Sequence, residues 1–204
     1  MNYRDAGRLA EAESLIDEWL PRGRAELGEY RPSMQFGLET AISIHERLGQ
    51  PTSVEPLRRE LAAFWKVNAG AESPQYSKEL ASLGMFLLQQ DKPADAESIL
   101  REAMLVDEAT RADDWTTFNT KSLLGFSLLG QQNYTEAEPL LLSGYEGLNR
   151  REKKIPRESK VRLREALQRI VQLYDEWGHK DKAAEWRTKL TGVRSAKPAE
   201  SDKN

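Results

Sequence analysis

Apolar and polar residues alternate along most of the chain with the spacing of amphipathic helices, and the pattern recurs about every 42 residues. A small or short apolar residue opens every second predicted helix. These residues lie at steps of 42, 42, 41 and 46: Ala12, Val54, Ala96, Ala137 and Ala183. A period in this range predicts stacked helical hairpins, because one hairpin is too small to bury its apolar face alone.

Two copies of the pattern match closely. In both, a Leu-Gly pair comes shortly before the small alanine: Leu83-Gly84 before Ala96, and Leu124-Gly125 before Ala137. Residues 41–54 and 170–183 form a more divergent pair, each with an apolar residue, a glycine and a short polar turn. The pattern therefore covers most of the chain.

The periodicity predicts an all-α fold of about nine antiparallel helices. Pro51, Pro74 and Pro93 fall at the proposed turns, where a missing amide hydrogen costs least. The helices are expected near 9–27, 34–48, 53–67, 74–90, 93–109, 114–130, 134–151, 158–177 and 180–192. They form one repeat domain, 1–193, with a half repeat at 1–30, repeats at about 33–70, 74–112, 113–153 and 157–193, and a disordered polar tail at 194–204.

The first predicted helix has no complete partner before it. Its apolar face around Leu15, Ile16 and Leu20 is therefore expected to lack the usual covering helix. Either the array continues upstream, or a shortened terminal helix packs on the next repeat. If this end is open, Trp19 is the candidate interface residue, and the half repeat is a candidate surface for self-association.

The repeat resembles the tetratricopeptide repeat (TPR). Leu83, Gly84 and Ala96 match that family's pattern in one copy, and Leu124, Gly125, Tyr134 and Ala137 match it in the next. The period of about 42 looks more like the kinesin-light-chain variety than the usual 34 residues. The resemblance implies a right-handed α-α superhelix, a solenoid that acts as a protein-interaction scaffold. The expected partner is another protein, bound by a peptide or helix in the concave groove.

A narrower resemblance suggests an alternative function. Residues 114–125, 136–147 and 170–174 look like the carboxy-terminal repeats of planctomycete-type bacterial serine/threonine protein kinases. This resemblance implies a regulatory or substrate-recruiting portion of a kinase that lacks its catalytic domain here.

Composition fits the helical prediction and narrows the function. Hydrophobic residues make up 39% of the chain and charged residues 31%, which suits amphipathic helices with solvated outer faces. A net charge of −3 gives no electrostatic basis for binding nucleic acid. The strongly apolar stretch 123–129 is far shorter than the roughly 20 residues that cross a membrane, so no membrane partner is expected. The absence of cysteine excludes thiol chemistry and fits a cytoplasmic location.

The residues that could support catalysis are few. His45 falls where the resemblance places an inward-facing aromatic residue, and His179 lies in a polar turn. His179-Lys180-Asp181 superficially resembles a kinase catalytic loop, but Trp186 stands where that loop needs asparagine. The sequence therefore predicts that the protein is not an enzyme and has no cofactor and no metal site.

The resemblance also indicates which residues face the groove. When the Leu-Gly pair is counted as positions seven and eight, the residues at positions two, five, nine and twelve of each first helix line the groove. The main partner-binding candidates are Lys78, Met85, Asn119, Ser122, Phe126, Gln168 and Gln172. The alternative for Met85 and Phe126 is that they contact neighbouring helices as part of the core.

Binding of a terminal carboxylate is not expected in this groove. Chaperone-binding members of the family hold such a carboxylate with lysine at position five. Here that position is occupied by Glu39, Ala81, Ser122 and Gln168.

Overall fold

A computed structural model of the protein describes residues 8–27 and 32–192. The predicted disordered tail, 194–204, lies outside these residues. The described part of the chain contains nine α-helices and no strand, and two short 3₁₀ helices, Glu152–Lys154 and Arg157–Ser159, precede the eighth helix. The helices are α1 (Leu9–Leu27), α2 (Pro32–Leu48), α3 (Pro51–Asn68), α4 (Pro74–Gln89), α5 (Pro93–Arg111), α6 (Trp115–Gly130), α7 (Tyr134–Arg150), α8 (Val161–Glu176) and α9 (Lys180–Gly192).

Local chemistry explains where several helices begin. Pro51, Pro74 and Pro93 are each the first residue of their helix, since the first helical amide needs no intrahelical acceptor. The starts at Pro74 and Pro93 match the prediction, and α3 begins two residues before the predicted start near 53. Ser73 caps α4 by accepting a hydrogen bond from the amide of Tyr76 at 3.2 Å. The predicted start of α8 near 158 is wrong by about one turn, because residues 157–159 adopt a 3₁₀ conformation first.

The turns inside the four full repeats share one backbone motif. In each, one residue has a positive φ angle, and the repeat-equivalent residues are Gly49 (69°), Asp91 (55°), Gln132 (61°) and Gly178 (84°). The amide of the residue that follows donates to a carbonyl five residues back: Gln50 to His45, Lys92 to Leu87, Asn133 to Leu128 and His179 to Tyr174. This is the hydrogen bond of a Schellman-type helix end. The repeat is therefore preserved in backbone geometry even where the residue type changes.

The helices form two compact units, one ending at Thr110 and one beginning at Arg111. In the amino-terminal unit, α1 packs on α2, α2 on α3 and α3 on α4. One core cluster joins residues of α1 to α4, including Leu20, Met34, Leu38, Leu61 and Phe86. A second cluster joins α3, α4 and α5 through Ala62, Tyr76, Leu80 and Ala103.

In the carboxy-terminal unit, α6 packs on α7 and on α8, α7 on α8 and α8 on α9. A core cluster at one end contains Leu148, Ile155, Leu163 and Ala166. Trp115, Phe118 and Tyr145 pack against it. Ile155 is buried although it lies in the charged connection between α7 and α8, so this connection is anchored to the core.

Small residues allow close helix packing at the predicted positions. Ala96 and Ala137 are fully buried, as are Val54 and Ala183. A Cβ atom added to Gly84 would lie 2.5 Å from Cγ of Leu100, and one added to Gly125 would lie 2.8 Å from Cγ of Leu141. In both repeats the leucine follows the glycine by sixteen positions and occupies the space that the missing side chain leaves.

The predicted open face of α1 is largely covered. Leu20 is buried in the core and Ile16 packs against the same cluster, which matches the alternative of a terminal helix that packs on the next repeat. The covering residues come from α2. Leu15 is 51% exposed, and the ring of Trp19 lies against Gly37 of α2, where an added Cβ would come within 2.2 Å of it. An interface role for Trp19 and self-association through the half repeat stay predictions.

Candidate partner-binding faces

The predicted groove residues of the amino-terminal unit lie on the accessible side of α4. Lys78 is exposed and Met85 is half-buried. Both project from the first helix of a repeat, the position that the repeat pattern assigns to the binding face. Their role in binding stays a prediction.

A cavity of about 390 Å³ lies beside Met85, where the turn between α2 and α3 meets the end of α4. Its wall combines apolar side chains, amide side chains and one ion pair. The lining residues are Glu46, Gly49, Gln50, Pro51, Val54, Arg58, Met85, Phe86, Gln89 and Gln90.

Arg58 is the cation in this wall. One terminal nitrogen of its guanidinium donates to Glu46, and the guanidinium lies 5.7 Å from the ring centre of Phe86. Its Nε atom is buried and has no hydrogen-bond acceptor among the described residues. A buried donor without an acceptor costs about 1–3 kcal/mol. The ion pair with Glu46 therefore does not satisfy the whole guanidinium.

Glu79 lies next to Lys78 on α4 and is half-buried. Burial raises the pKa of this carboxyl, an effect that the nearby cations Lys78 and Arg58 partly offset. Below the ordinary pKa near 4.5 the carboxyl is protonated in both the folded and the unfolded chain. As the pH rises through the raised folded pKa, the folded state must bury a charge and loses stability.

We therefore expect Glu79→Gln to increase the free energy of unfolding at pH 7. The gain should disappear below about pH 4, and urea unfolding across this pH range measures it. Glu138→Gln is the matched control, and its effect on the free energy of unfolding should have the opposite sign. Hydrogen bonds from Tyr174 and Lys182 lower the pKa of Glu138, so its contribution to stability is present above pH 4.5 and lost in acid. A gain from Glu79→Gln that persists in acid would contradict the burial argument.

In the carboxy-terminal unit, the predicted candidates lie on α6 and α8. Gln168 and Gln172 are exposed, and the amide of Gln172 donates to Glu176 at 2.8 Å. Phe126 is half-buried. Asn119 is also half-buried, and its Oδ1 atom has no hydrogen-bond donor among the described residues.

Ser122 differs from the other candidates because it is fully buried. Its hydroxyl accepts a hydrogen bond of 3.0 Å from Arg169 of α8. In this structure Ser122 joins two first helices and offers no surface to a partner.

Arg169 is a residue of this face that the sequence pattern did not single out. It is 9% exposed, and its guanidinium lies 5.4 Å from the ring centre of Phe126 and 3.5 Å from Glu165. Burial lowers the pKa of Arg169 to about 10. The signal was available in the periodicity, because Ala166, Arg169 and Leu173 share one face of α8 and both apolar neighbours are buried.

The two histidines occupy structural positions. His45 is buried, and its Nδ1 lies 2.6 Å from Oε1 of Gln50, whose amide nitrogen donates to Glu13 at 2.7 Å. These contacts connect α1 to the end of α2. His179 is exposed, with its ring against Trp177.

The described residues contain neither a cluster of metal-ligating side chains nor a helix that could span a membrane. Among residues 8–27 and 32–192, no three His, Cys, Asp or Glu side chains are grouped so that they could hold a metal ion. Over the same ranges, every helix is too short or too polar to reach across a lipid bilayer.

Comparison with solved structures identifies the fold of the chain. No protein-family model matches the chain, and no curated protein matches it. Solved structures do match. A kinesin light chain protein of Podosopora anserina with nearly identical TPR-like repeats aligns with a TM-score of 0.69 and 15% identity, over 94% of this chain and 89% of that one. BtubC (BKLC) of P. vanneervenii aligns with a TM-score of 0.71 and 16% identity, over 99% of this chain and 82% of that one.

The chain has a TPR-like repeat fold. At 15–16% identity these matches establish the fold and nothing finer. The general TPR resemblance and the all-α solenoid class are therefore confirmed. The narrower resemblance to kinase-associated repeats is not confirmed.

Proposed function

We propose that the protein is a non-enzymatic scaffold that binds a peptide or helix of a partner protein through the first helices of its repeats. The observation that carries this proposal is the solvent exposure of the predicted residues on those helices. Lys78, Gln168 and Gln172 are exposed, and Met85 and Phe126 are half-buried. Long polar side chains beside partly covered apolar ones form the kind of surface that receives a peptide or helix.

Within the carboxy-terminal unit, the face made by α6 and α8 is the best-defined part of this surface. The hydrogen bond between Arg169 and Ser122 holds the two helices together, and Arg169 also packs on Phe126. A face supported in this way is preorganised, so binding loses little side-chain entropy. The partner is expected to contact Phe126, Gln168 and Gln172 together.

A photocrosslinking experiment tests this proposal. The photoreactive residue p-benzoylphenylalanine is placed at Phe126 or Gln168 in the full chain in its source cells, and the crosslinked protein is identified by mass spectrometry. The control position is Asn149, an exposed residue of α7, the second helix of a repeat. We expect one partner to be captured from both groove positions and not from the control.

Binding of the purified partner then gives the decisive measurement. We expect Phe126→Ala and the double change Gln168→Ala, Gln172→Ala each to weaken binding at least about tenfold, which corresponds to about 1.4 kcal/mol. Asn149→Ala should change binding less than about twofold. Circular dichroism verifies that each variant is folded. A partner that binds both groove variants with unchanged affinity would refute the proposal. A serine/threonine kinase or its substrate as the captured partner would support the kinase-associated alternative.

A further inference from the structure

Residues 150–164 concentrate positive charge in an otherwise acidic chain. This stretch, the basic segment, runs from the last residue of α7 to the first turn of α8. It contains eight arginines and lysines and two glutamates, a net charge of +6, so the rest of the chain carries −9 within the total of −3. The eight cations are Arg150, Arg151, Lys153, Lys154, Arg157, Lys160, Arg162 and Arg164.

Most of these cations have no partner among the described residues. Three form ion pairs inside the carboxy-terminal unit: Arg150 with Glu146, Arg151 with Asp113 and Arg162 with Glu165. The side chains of the other five form no hydrogen bond or ion pair with another described residue. Lys160 is half-buried and the remaining four are exposed: Lys153, Lys154, Arg157 and Arg164. Their charge is therefore available to an external anion.

The backbone of the basic segment is ordered by its own contacts. Ile155 is buried in a core cluster. The amide of Lys154 donates to the carbonyl of Arg151 at 2.7 Å, and the amide of Ser159 donates to the carbonyl of Pro156 at 2.9 Å. A partner that binds here does not have to order this backbone, so binding loses less entropy than it would on a disordered basic loop.

The start of α8 adds to the positive potential. The helix begins inside the basic segment, at Val161, and no described side chain caps its amino-terminal end. The partial positive charge of that helix end therefore acts in the same direction as the side chains.

The charge distribution also indicates which kind of anion fits. A nucleic acid or an anionic membrane extends beyond fifteen residues and would meet the surface of a chain that carries −9 outside the segment. The segment contains no aromatic residue on which an unpaired base could stack. Val161 is the one large apolar side chain that the described segment exposes, which is too little for insertion into a membrane. A short acidic stretch of polypeptide meets neither obstacle.

We propose that the basic segment binds a short acidic segment of a partner protein, whose aspartate and glutamate carboxylates pair with the five unpaired cations. This inference goes beyond the proposed groove, because it adds a second surface that uses none of Phe126, Gln168 and Gln172. Electrostatic attraction supplies the affinity, so binding is expected to be fast and sensitive to salt.

Fluorescence anisotropy of the full chain with labelled probes tests the proposal. The main probe is an oligoglutamate peptide, and an oligoglutamine peptide of the same length is its neutral control. A short DNA duplex and phosphatidylcholine vesicles that contain phosphatidylserine represent the other two classes of anion. We expect saturable binding of oligoglutamate at about 50 mM salt, weakened at least about fivefold at about 300 mM salt, where screening is stronger. Oligoglutamine should not bind.

A pair of charge-matched variants locates the site. Changing Lys153, Lys154 and Lys160 together to glutamine should weaken oligoglutamate binding at least about tenfold. The control changes Lys180, Lys182 and Lys189 to glutamine, three exposed lysines of α9 in the same unit. It alters the net charge equally and should change binding less than about twofold. Circular dichroism verifies that both triple variants are folded.

Four results would overturn the inference. The first is no saturable binding of oligoglutamate, and the second is an equal loss in both triple variants, which would show a general effect of net charge. The third is tighter binding of the duplex or the vesicles than of oligoglutamate. The fourth is self-association of the wild-type chain in sedimentation velocity that the first triple variant abolishes, since a second copy would then be the occupant. None of them affects the crosslinking test at Phe126 and Gln168, so failure of this surface is distinguishable from failure of the groove.

Discussion

Replacing Leu100 by alanine is expected to lower the free energy of unfolding by about 3 kcal/mol. Leu100 is fully buried on α5, and its side chain fills the space above Gly84 of α4. The alanine variant leaves a cavity at a contact between two backbone segments that are already close, so the site has little freedom to collapse. Urea unfolding followed by far-ultraviolet circular dichroism measures the loss.

Leu105→Ala provides the control on the same helix. Leu105 is 67% exposed, and its truncation should change stability by less than about 0.5 kcal/mol. Gly84→Ala provides the complementary test, because the added Cβ lies 2.5 Å from Cγ of Leu100. Gly84→Ala should destabilise the wild-type chain but partly restore the Leu100→Ala variant. Strictly additive effects of the two changes would show that the two residues do not share this space.

The helices could be predicted from the sequence because their signals are local. Amphipathic spacing, prolines at first positions and a recurring small residue are all readable without tertiary contacts. The predicted helix near 9–27 matches α1, Leu9–Leu27, and Val54, Ala96, Ala137 and Ala183 are all fully buried. The start of α8 was missed because the polar residues 157–159 gave no sign of a 3₁₀ turn.

The turns were predictable only in part. Gly49 and Gly178 mark the left-handed position in two repeats, since glycine adopts a positive φ without steric cost. Asp91 and Gln132 occupy the same position in the other two repeats, and glutamine has no particular preference for it. Their conformation follows from the alignment of the repeats, not from their own residue types.

The binding faces depend on contacts between residues far apart in sequence, and this limited their prediction. Counting positions within a repeat placed Lys78, Gln168 and Gln172 on the surface, where the structure has them. It also placed Ser122 there, although a hydrogen bond from Arg169, forty-seven residues away, holds Ser122 in the interior. The cavity beside Met85 forms where a turn meets the end of a later helix, and no local pattern encodes such a meeting.

The second large effect is expected at Gly144 of α7. A Cβ atom at this position would lie 2.8 Å from the backbone nitrogen of Ser122 and 3.0 Å from the carbonyl oxygen of Phe118, both on α6. Backbone atoms cannot rotate away, so a methyl group there must push α7 away from α6. Alanine improves helix propensity by up to about 1 kcal/mol over glycine, which offsets part of the loss. We expect Gly144→Ala to lower the free energy of unfolding by about 2 kcal/mol net, as measured by urea unfolding.

Gly147, one turn further along α7, allows a clash with backbone atoms to be distinguished from a clash with a side chain. Its added Cβ would meet ring carbons of Phe118, the nearest at 1.9 Å, and these belong to a side chain. A double-mutant cycle with Phe118→Ala should therefore show strong coupling to Gly147→Ala and almost none to Gly144→Ala. Gly192→Ala, at the end of α9 with nothing within 4 Å among the described residues, should be neutral. If Phe118→Ala rescued both glycine variants equally, the side chain rather than the backbone would set the spacing of α6 and α7.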